Sequence, residues 1–534
     1  MGYADSVEFI KGNNSVGLAH YHVELTEAQL GTFETLNSIC LLDNFDHLLL
    51  FLECQLYDGL NLTVPPFDIF LVLLTLATVS DHYKDHSTRS NDPYNASRAP
   101  LNKRALKILF FYLERLKEFD TGKYGRYELE LLRCQLFLAS DSLSPQRKRF
   151  DRPRKLRKTV ANTVYSCEVV DVGENDFKEP YKSYISCLGQ KSTVLGNRII
   201  NSQLSYPGEF INMILWTLCN SMQDHPALYL ASHDVWMPLL GIILDLLELR
   251  QDYFVSQESQ AKNMRKAEYV QKLSQSPVAV FLESIDSLQF TDLFCEYIFS
   301  KCDYLSANNG REALVHPVYH GEATLSNTFH LRIKYTKSYK IQKSIALRRK
   351  LIGIAFKLLS EVPSGHRLVY PRMEADDMIN RISVILSEFN NLEQFRAFFS
   401  GNPTSSYFLP LLAEGTLLQL CHTYKNTSDP LSWVIISDLL SGADAFLDKC
   451  ISILETGLFI PWDNETPQDS ILDICKADTC LLVLIKTFVR LSGVALGSAK
   501  FEAMLSAVKK VDAARSRQAC LPRLHPLIIK LIHS

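Results

Sequence analysis

The chain has 534 residues, 47% apolar and 22% charged, with a formal net charge of −3 at pH 7. That is ordinary globular usage with enough material for a large buried core in about three units of roughly 150 residues each. The near-neutral balance gives no bulk attraction to nucleic acid or to an acidic membrane, and thirteen scattered cysteines without a C-x-x-C spacing argue against a disulfide framework or a zinc site and fit a reducing compartment.

The opening residues lack a basic stretch followed by an apolar one, so no secretory signal is expected. Gly2 and Ser6 match the myristoylation pattern, but Tyr3 sets a bulky ring beside the acceptor glycine and argues against it. Helical periodicity then dominates. Thr26 and Gln29 form a predicted capping box ahead of Leu30, Phe33, Leu36 and Cys40 on one face. Pro65 and Pro66 precede an apolar helix over 67–79. Its run from Ile69 to Val79, flanked by Asp68 and Asp81, is too short to span a bilayer and reads as buried. Over 101–119 a stripe of Leu106, Leu109, Phe110, Leu113 and Leu116 is expected. A long helix follows at about 233–254, with Ser232 as its N-cap. The clearest helix is 375–389, where Met378, Ile379, Ile382, Ile385, Leu386 and Phe389 share one face.

Strand signals are confined to 164–172 and 329–335, and two isolated strands cannot build a core sheet. The expected fold is therefore all-α: an irregular helical bundle or α-solenoid-like arrangement with long charged loops and negligible β structure. No fixed-period repeat is evident. Loops are expected at 84–99, 141–180, 303–340 and 461–470. The charged 141–180 stretch suggests a break between an N-terminal helical lobe (1–140) and a C-terminal helical region (181–534).

Catalytic patterns are absent: no phosphate-cradling glycine loop, no dinucleotide fingerprint, no H-E-x-x-H and no G-x-S-x-G elbow. Asp376 and Asp377 are adjacent and point about 100° apart on a helix, which suits a first turn better than a shared substrate. His82 and His86, and His316 and His320, are spaced for a metal but lie at polar ends or in loops. No enzyme activity, cofactor or metal is expected.

Three segments suggest binding. Residues 147–158 hold Arg147, Lys148, Arg149, Arg152, Arg154, Lys155, Arg157 and Lys158 against Asp151 alone. Such a run reads as a nuclear import signal or a nucleic-acid contact, or else as a solvated loop. From Arg332 to Lys350 there are eight basic residues, Arg332, Lys334, Lys337, Lys340, Lys343, Arg348, Arg349 and Lys350, with no acid and with Tyr335 and Tyr339 between them. This patch could neutralise phosphates and stack bases, or dock on an acidic protein surface. Val169, Val170 and Val172, beside Glu168, Asp171, Glu174 and Asp176, form a short β-prone segment with acids. It could add a strand to an exposed sheet edge in the manner of a SUMO-interacting motif, or close a local hairpin.

Read in order, the blocks HLLLFLECQ at 47–55, NDPYN at 91–95, ELLRCQ at 130–135, PYKSYISCL at 180–188 and PGEFINMILWTL at 207–218 resemble one family. So do RQDYF at 250–254, HPVY at 316–319, ALRRKLIG at 346–353, GHRL at 365–368, PLLAEGTL at 410–417 and CLLVL at 480–484. The resemblance is to the budding-yeast type of non-SMC element five of the Smc five–six complex. It is weakest over 141–180 and after about residue 420. It implies a non-catalytic, nuclear, chromosome-associated protein that forms an obligate helical heterodimer with non-SMC element six. The resemblance further implies that the pair docks on the Smc five–six ATPase core, restrains it and assists loading onto DNA, with SUMO or its ligase machinery as a further partner and DNA contacted mostly indirectly. No membrane contact is implied, and no residue role is carried over. The alternative from the residues alone is a helical adaptor that binds DNA directly through its basic stretches.

Overall fold

A computed structural model describes residues 23, 25–42, 44–58, 62–78, 100–117, 124–143, 200, 204, 207–219, 222, 227–259, 265–285, 289–305, 341–400, 408–423, 443–456, 458–459, 468–492, 498–517 and 521–533. Among them are eighteen α-helices, one short 3-10 turn and no strand, only an isolated bridge between Tyr304 and Phe389. The fold is all-α, as the periodicity predicts. The suggested strands at 164–172 and 329–335 lie outside the described residues.

The helices fall into two compact units. The first holds α1 (Glu27–Leu41), α2 (Phe45–Asp58), α3 (Phe67–Ala77), α4 (Leu101–Lys117), α5 (Arg126–Leu143), α6 (Pro207–Leu218), α7 (Ala227–Ser259), α8 (Lys266–Leu273) and α9 (Pro277–Glu283), together with Glu361–Arg372. Helix α3 is its centre. Every residue from Asp68 to Ala77 is buried, because α4, α5 and α7 all pack around it. A helix apolar on all sides has no other stable place. Tyr112 of α4 sets its ring edge-on to Phe70, centroids 5.3 Å apart, and donates its hydroxyl to the Thr63 carbonyl at 2.7 Å. Gln135 of α5 accepts from the Phe67 N–H at 2.9 Å, satisfying an orphan donor at the start of α3.

Several expectations change in detail. Thr26 caps α1 by accepting from Gln29 N–H at 3.3 Å, but its own N–H donates to the Tyr127 hydroxyl (3.2 Å), which takes the place of the reciprocal half of the box. On α4, Phe110 is 41% exposed while Ala105, Ile108 and Tyr112 take core positions. Helix α7 begins at Ala227, so Ser232 lies inside it rather than at its cap. Helix α5 runs on to Leu143, and Asp141 in its last turn pairs with buried Arg250 of α7 at 3.1 Å. The Arg250 guanidinium also lies 5.2 Å from the Phe137 ring. Helices on both sides of the 141–180 stretch belong to one compact unit, which includes residues up to Phe290.

The second unit contains α10 (Phe290–Ile298) from Thr291 onward, α11 (Ile341–Ser360), α12 (Ala375–Ser387), α13 (Leu392–Phe399), α14 (Phe408–Thr423), α15 (Ala443–Leu454), α16 (Gln468–Ser492), α17 (Ala499–Ala514) and α18 (Leu524–His533). Helix α14 lies between α12 and α16. All six residues predicted for the 375–389 face are buried, and each such aliphatic side chain contributes about 1.5–3 kcal/mol by leaving water. Gly415 lets α14 approach α12 closely: a Cβ there would meet Ser383 Oγ at 2.4 Å. Asn391 caps α13 through Gln394 N–H (3.0 Å), and Ser498 caps α17 through Phe501 N–H (3.1 Å). Asp512 accepts from Leu524 and His525 N–H (2.8 and 2.9 Å) and so caps α18 from the preceding helix.

Candidate functional site

The basic stretch 332–350 divides in the structure. Arg332, Lys334, Lys337 and Lys340 lie outside the described residues, as do residues 147–158 and Val169, Val170 and Val172. The rest form the start of α11. Lys343 is exposed and Lys350 half-exposed. Arg348 is 1% exposed. Its Nε donates to Ser344 Oγ at 2.8 Å and its Nη1 donates to the carbonyl of Ile298, the last residue of α10. Arg349 donates to the carbonyls of Phe398 (3.3 Å) and Ser400, at the end of α13, and burial pulls its pKa down from the ordinary arginine value. These two arginines therefore close helix C-termini inside the fold, where exposed carbonyls and the negative end of the helix dipole favour a cation. The outward-facing part of the patch, among the described residues, is Lys343, with Lys350 about two turns further along the same helix.

Two further internal cations lie in the same unit. Lys476 of α16 donates to the carbonyls of Ser387 and Phe389 at the end of α12, the latter at 3.3 Å, and pairs with Asp473 at 2.7 Å. Arg515 donates to the Phe459 carbonyl at 3.1 Å and makes a two-pronged pair with Asp478 at 2.9 and 3.0 Å. Both side chains of that pair are at most 3% exposed. Burial pushes the Asp478 carboxyl up to about 6, against the downward pull of Arg515. Sequence reading missed all four internal cations. The signal was present for Arg348, which follows Ile341, Ser344 and Ile345 at helical spacing on the apolar face of α11.

Asp376 and Asp377 are exposed in the first turn of α12, where negative charge is favourable. His82, His86, His316 and His320 lie outside the described residues. Among the described residues no cluster of three His, Cys, Asp or Glu side chains could hold a metal. Nine of the ten described cysteines are buried, with Cys54 exposed. Burial pushes the thiols of Cys134, Cys295 and Cys421 up to about 12 and those of Cys450 and Cys480 higher still, so they stay protonated and unreactive. No described helix is long and apolar enough to cross a membrane.

What faces outward includes apolar side chains that a core would ordinarily cover. Leu42, Leu50, Phe110, Val369 and Tyr370 are exposed in the first unit, and Leu305, Leu491 and Leu527 in the second. Helix α18 buries Leu524 and Ile528 but leaves Leu527 exposed and Ile529, Leu531 and Ile532 half-exposed. Singly scattered apolar side chains are ordinary on a folded surface, and α18, which carries several along one helix, is the stretch that suits contact with another macromolecule.

Comparison with known proteins agrees with this description. A family model described as "DNA repair proteins Nse5 and Nse6" matches residues 1–511. The chain is also 46% identical to "Non-structural maintenance of chromosome element 5" of Saccharomyces cerevisiae (strain ATCC 204508 / S288c) over 546 aligned positions, covering 99% of this chain and 97% of that protein. Likeness of that extent runs through both units, and the chain belongs to the Nse5 family.

Proposed function

We propose that the chain is a non-catalytic regulatory and loading subunit of the Smc five–six chromosome complex, paired with non-SMC element six and acting in DNA repair and SUMO-linked genome maintenance in the nucleus. The observation that carries this reading is the 46% identity over nearly the full length of both chains to a yeast protein named as a chromosome-maintenance element. The run of incompletely covered apolar side chains on α18 supports it, since a second polypeptide would cover such a face. In this mechanism the joined pair binds one conformation of the ATPase core more tightly than the other, and only that difference in affinity alters turnover.

The test is reconstitution. The chain should co-purify with element six in equal amounts, hydrolyse no ATP alone, and change the turnover of the core when the pair is added. ATP hydrolysis by the purified chain, or no effect of the pair on the core, would refute the reading. For the SUMO link, replacing Val169, Val170 and Val172 by alanine should abolish capture on immobilised SUMO, and undiminished capture would exclude that segment. The second reading, direct DNA binding, has the exposed Lys343 in its favour. Replacing Lys334, Lys337, Lys340 and Lys343 by glutamate should then remove salt-sensitive binding to duplex DNA.

A further inference from the structure

Helix α1 is built to hold loosely. Three of its hydroxyls turn back onto its own carbonyls: Thr32 to Ala28 (2.9 Å), Thr35 to Gly31 (2.8 Å) and Ser38 to Glu34 (2.7 Å). Such bonds slightly destabilise and bend a helix, and threonine, serine, asparagine and glycine are all poor helix formers. Gly31 stands exposed in the second turn. The last turn carries no basic side chain to meet the negative end of the helix.

On the inner face Phe33, Leu36 and Cys40 are at most 1% exposed, and the helix packs on α2. Asn37 sits in the same row, next to Leu36 and one turn from Phe33 and Cys40, and is itself 1% exposed. Neither its amide oxygen nor its amide nitrogen has a hydrogen-bond partner. A buried amide without partners costs free energy in the closed state and recovers its hydrogen bonds in water. Lifting α1 therefore returns part of what uncovering Phe33, Leu36 and Cys40 costs. The lift breaks the bond from Thr26 N–H to the Tyr127 hydroxyl of α5 (3.2 Å). It leaves the centre of the unit in place, because α3 is held by α4, α5 and α7. Elements that move within a folded protein are drawn from such low-stability segments.

We infer that α1 is a strap that opens as a unit from the folded protein and bares the side of α2 beneath it, and that Asn37 sets how often it does so. Cys40, on the inner face, reports the opening. The experiment follows thiol labelling of the full chain under native conditions, cysteine by cysteine by mass spectrometry. Cys219 of the same unit, 0% exposed, is the reference for larger unfolding. Cys40 should label about tenfold or more faster than Cys219, and low denaturant should change its rate little, because a local opening exposes little surface. Asn37→Leu removes the unpaired amide and should slow Cys40 about tenfold, leaving Cys219 unchanged. Gly31→Ala strengthens the helix at an exposed site away from the seam and should slow Cys40 too. Cys40 labelling at the rate of Cys219, or with the same denaturant dependence, would overturn the inference. So would a Cys40 rate that neither variant slows.

Discussion

Replacing Arg515 by methionine tests whether the buried pair with Asp478 anchors the second unit. The guanidinium satisfies both carboxylate oxygens and the Phe459 carbonyl at 2.9–3.1 Å, with both partners at most 3% exposed. Removing it leaves a buried carboxylate without its partner, which costs about 3–5 kcal/mol. For a unit of this size that is a fall on the order of 10 °C in melting temperature, read by scanning calorimetry. The double variant Arg515→Met/Asp478→Leu should recover most of the loss, because an apolar pair of similar volume is about neutral against a buried ion pair. The pH dependence fixes the sign. The folded carboxyl sits at about 6, above its ordinary value of 3.8, so the fold favours the protonated form. The cost of ionisation is absent below about pH 4 and fully present above about pH 6. Without Arg515 that carboxyl rises further, so the single variant's loss should grow from pH 5 to pH 8. A single variant within about 1 kcal/mol of wild type, or a double variant no more stable than the single one, would refute the reasoning.

Other perturbations separate buried from exposed positions. Phe389 is 2% exposed and rings with Phe299 at 5.8 Å and Phe395 at 6.5 Å, so Phe389→Ala should cost about 3–5 kcal/mol in a denaturant melt, whereas Phe110→Ala at an exposed site should stay within about 0.5 kcal/mol. Gly415→Ala would drive a Cβ to 2.4 Å from Ser383 Oγ and should destabilise by about 1–3 kcal/mol. Gly31→Ala, within α1 and with nothing inside 4 Å, should instead stabilise by about 0.5–1 kcal/mol. In a thiol-reagent assay of the native protein Cys54 should react, Cys54→Ser should remove one fast equivalent, and Cys450 and Cys480 should react only on unfolding.

The sequence was legible where one face of one helix is apolar and the pattern is local. The 375–389 face and the apolar run of α3 are of this kind, and every predicted core residue of the 375–389 face is buried. It was less legible where the deciding partner is distant. Thr26 meets Tyr127, 101 residues away, instead of completing its box. Phe110 lost its place in the stripe because α2, α3 and α7 close on α4 along a face that Ile108 and Tyr112 fill. A run of basic residues reads as a solvated or binding surface because nothing nearby neutralises it. Arg348 and Arg349 find their acceptors 49 to 51 residues away, at the ends of α10 and α13. The same non-locality joins Arg250 to Asp141 across 109 residues, on either side of the 141–180 stretch.

The internal cations of the second unit also shape how that unit assembles. Arg348, Lys476 and Arg515 reach carbonyls 50, 87 to 89 and 56 residues away. A stack of helical pairs that touch only their neighbours can form and fray one repeat at a time. Ties of this span resist such piecemeal behaviour: until distant segments meet, a charged group and a set of carbonyls have no mates, and once they do, loosening one end exposes the other. The unit should consequently exchange its amide protons as one cooperative block, and a fragment ending before α16 should be unable to hold the end of α12 in place.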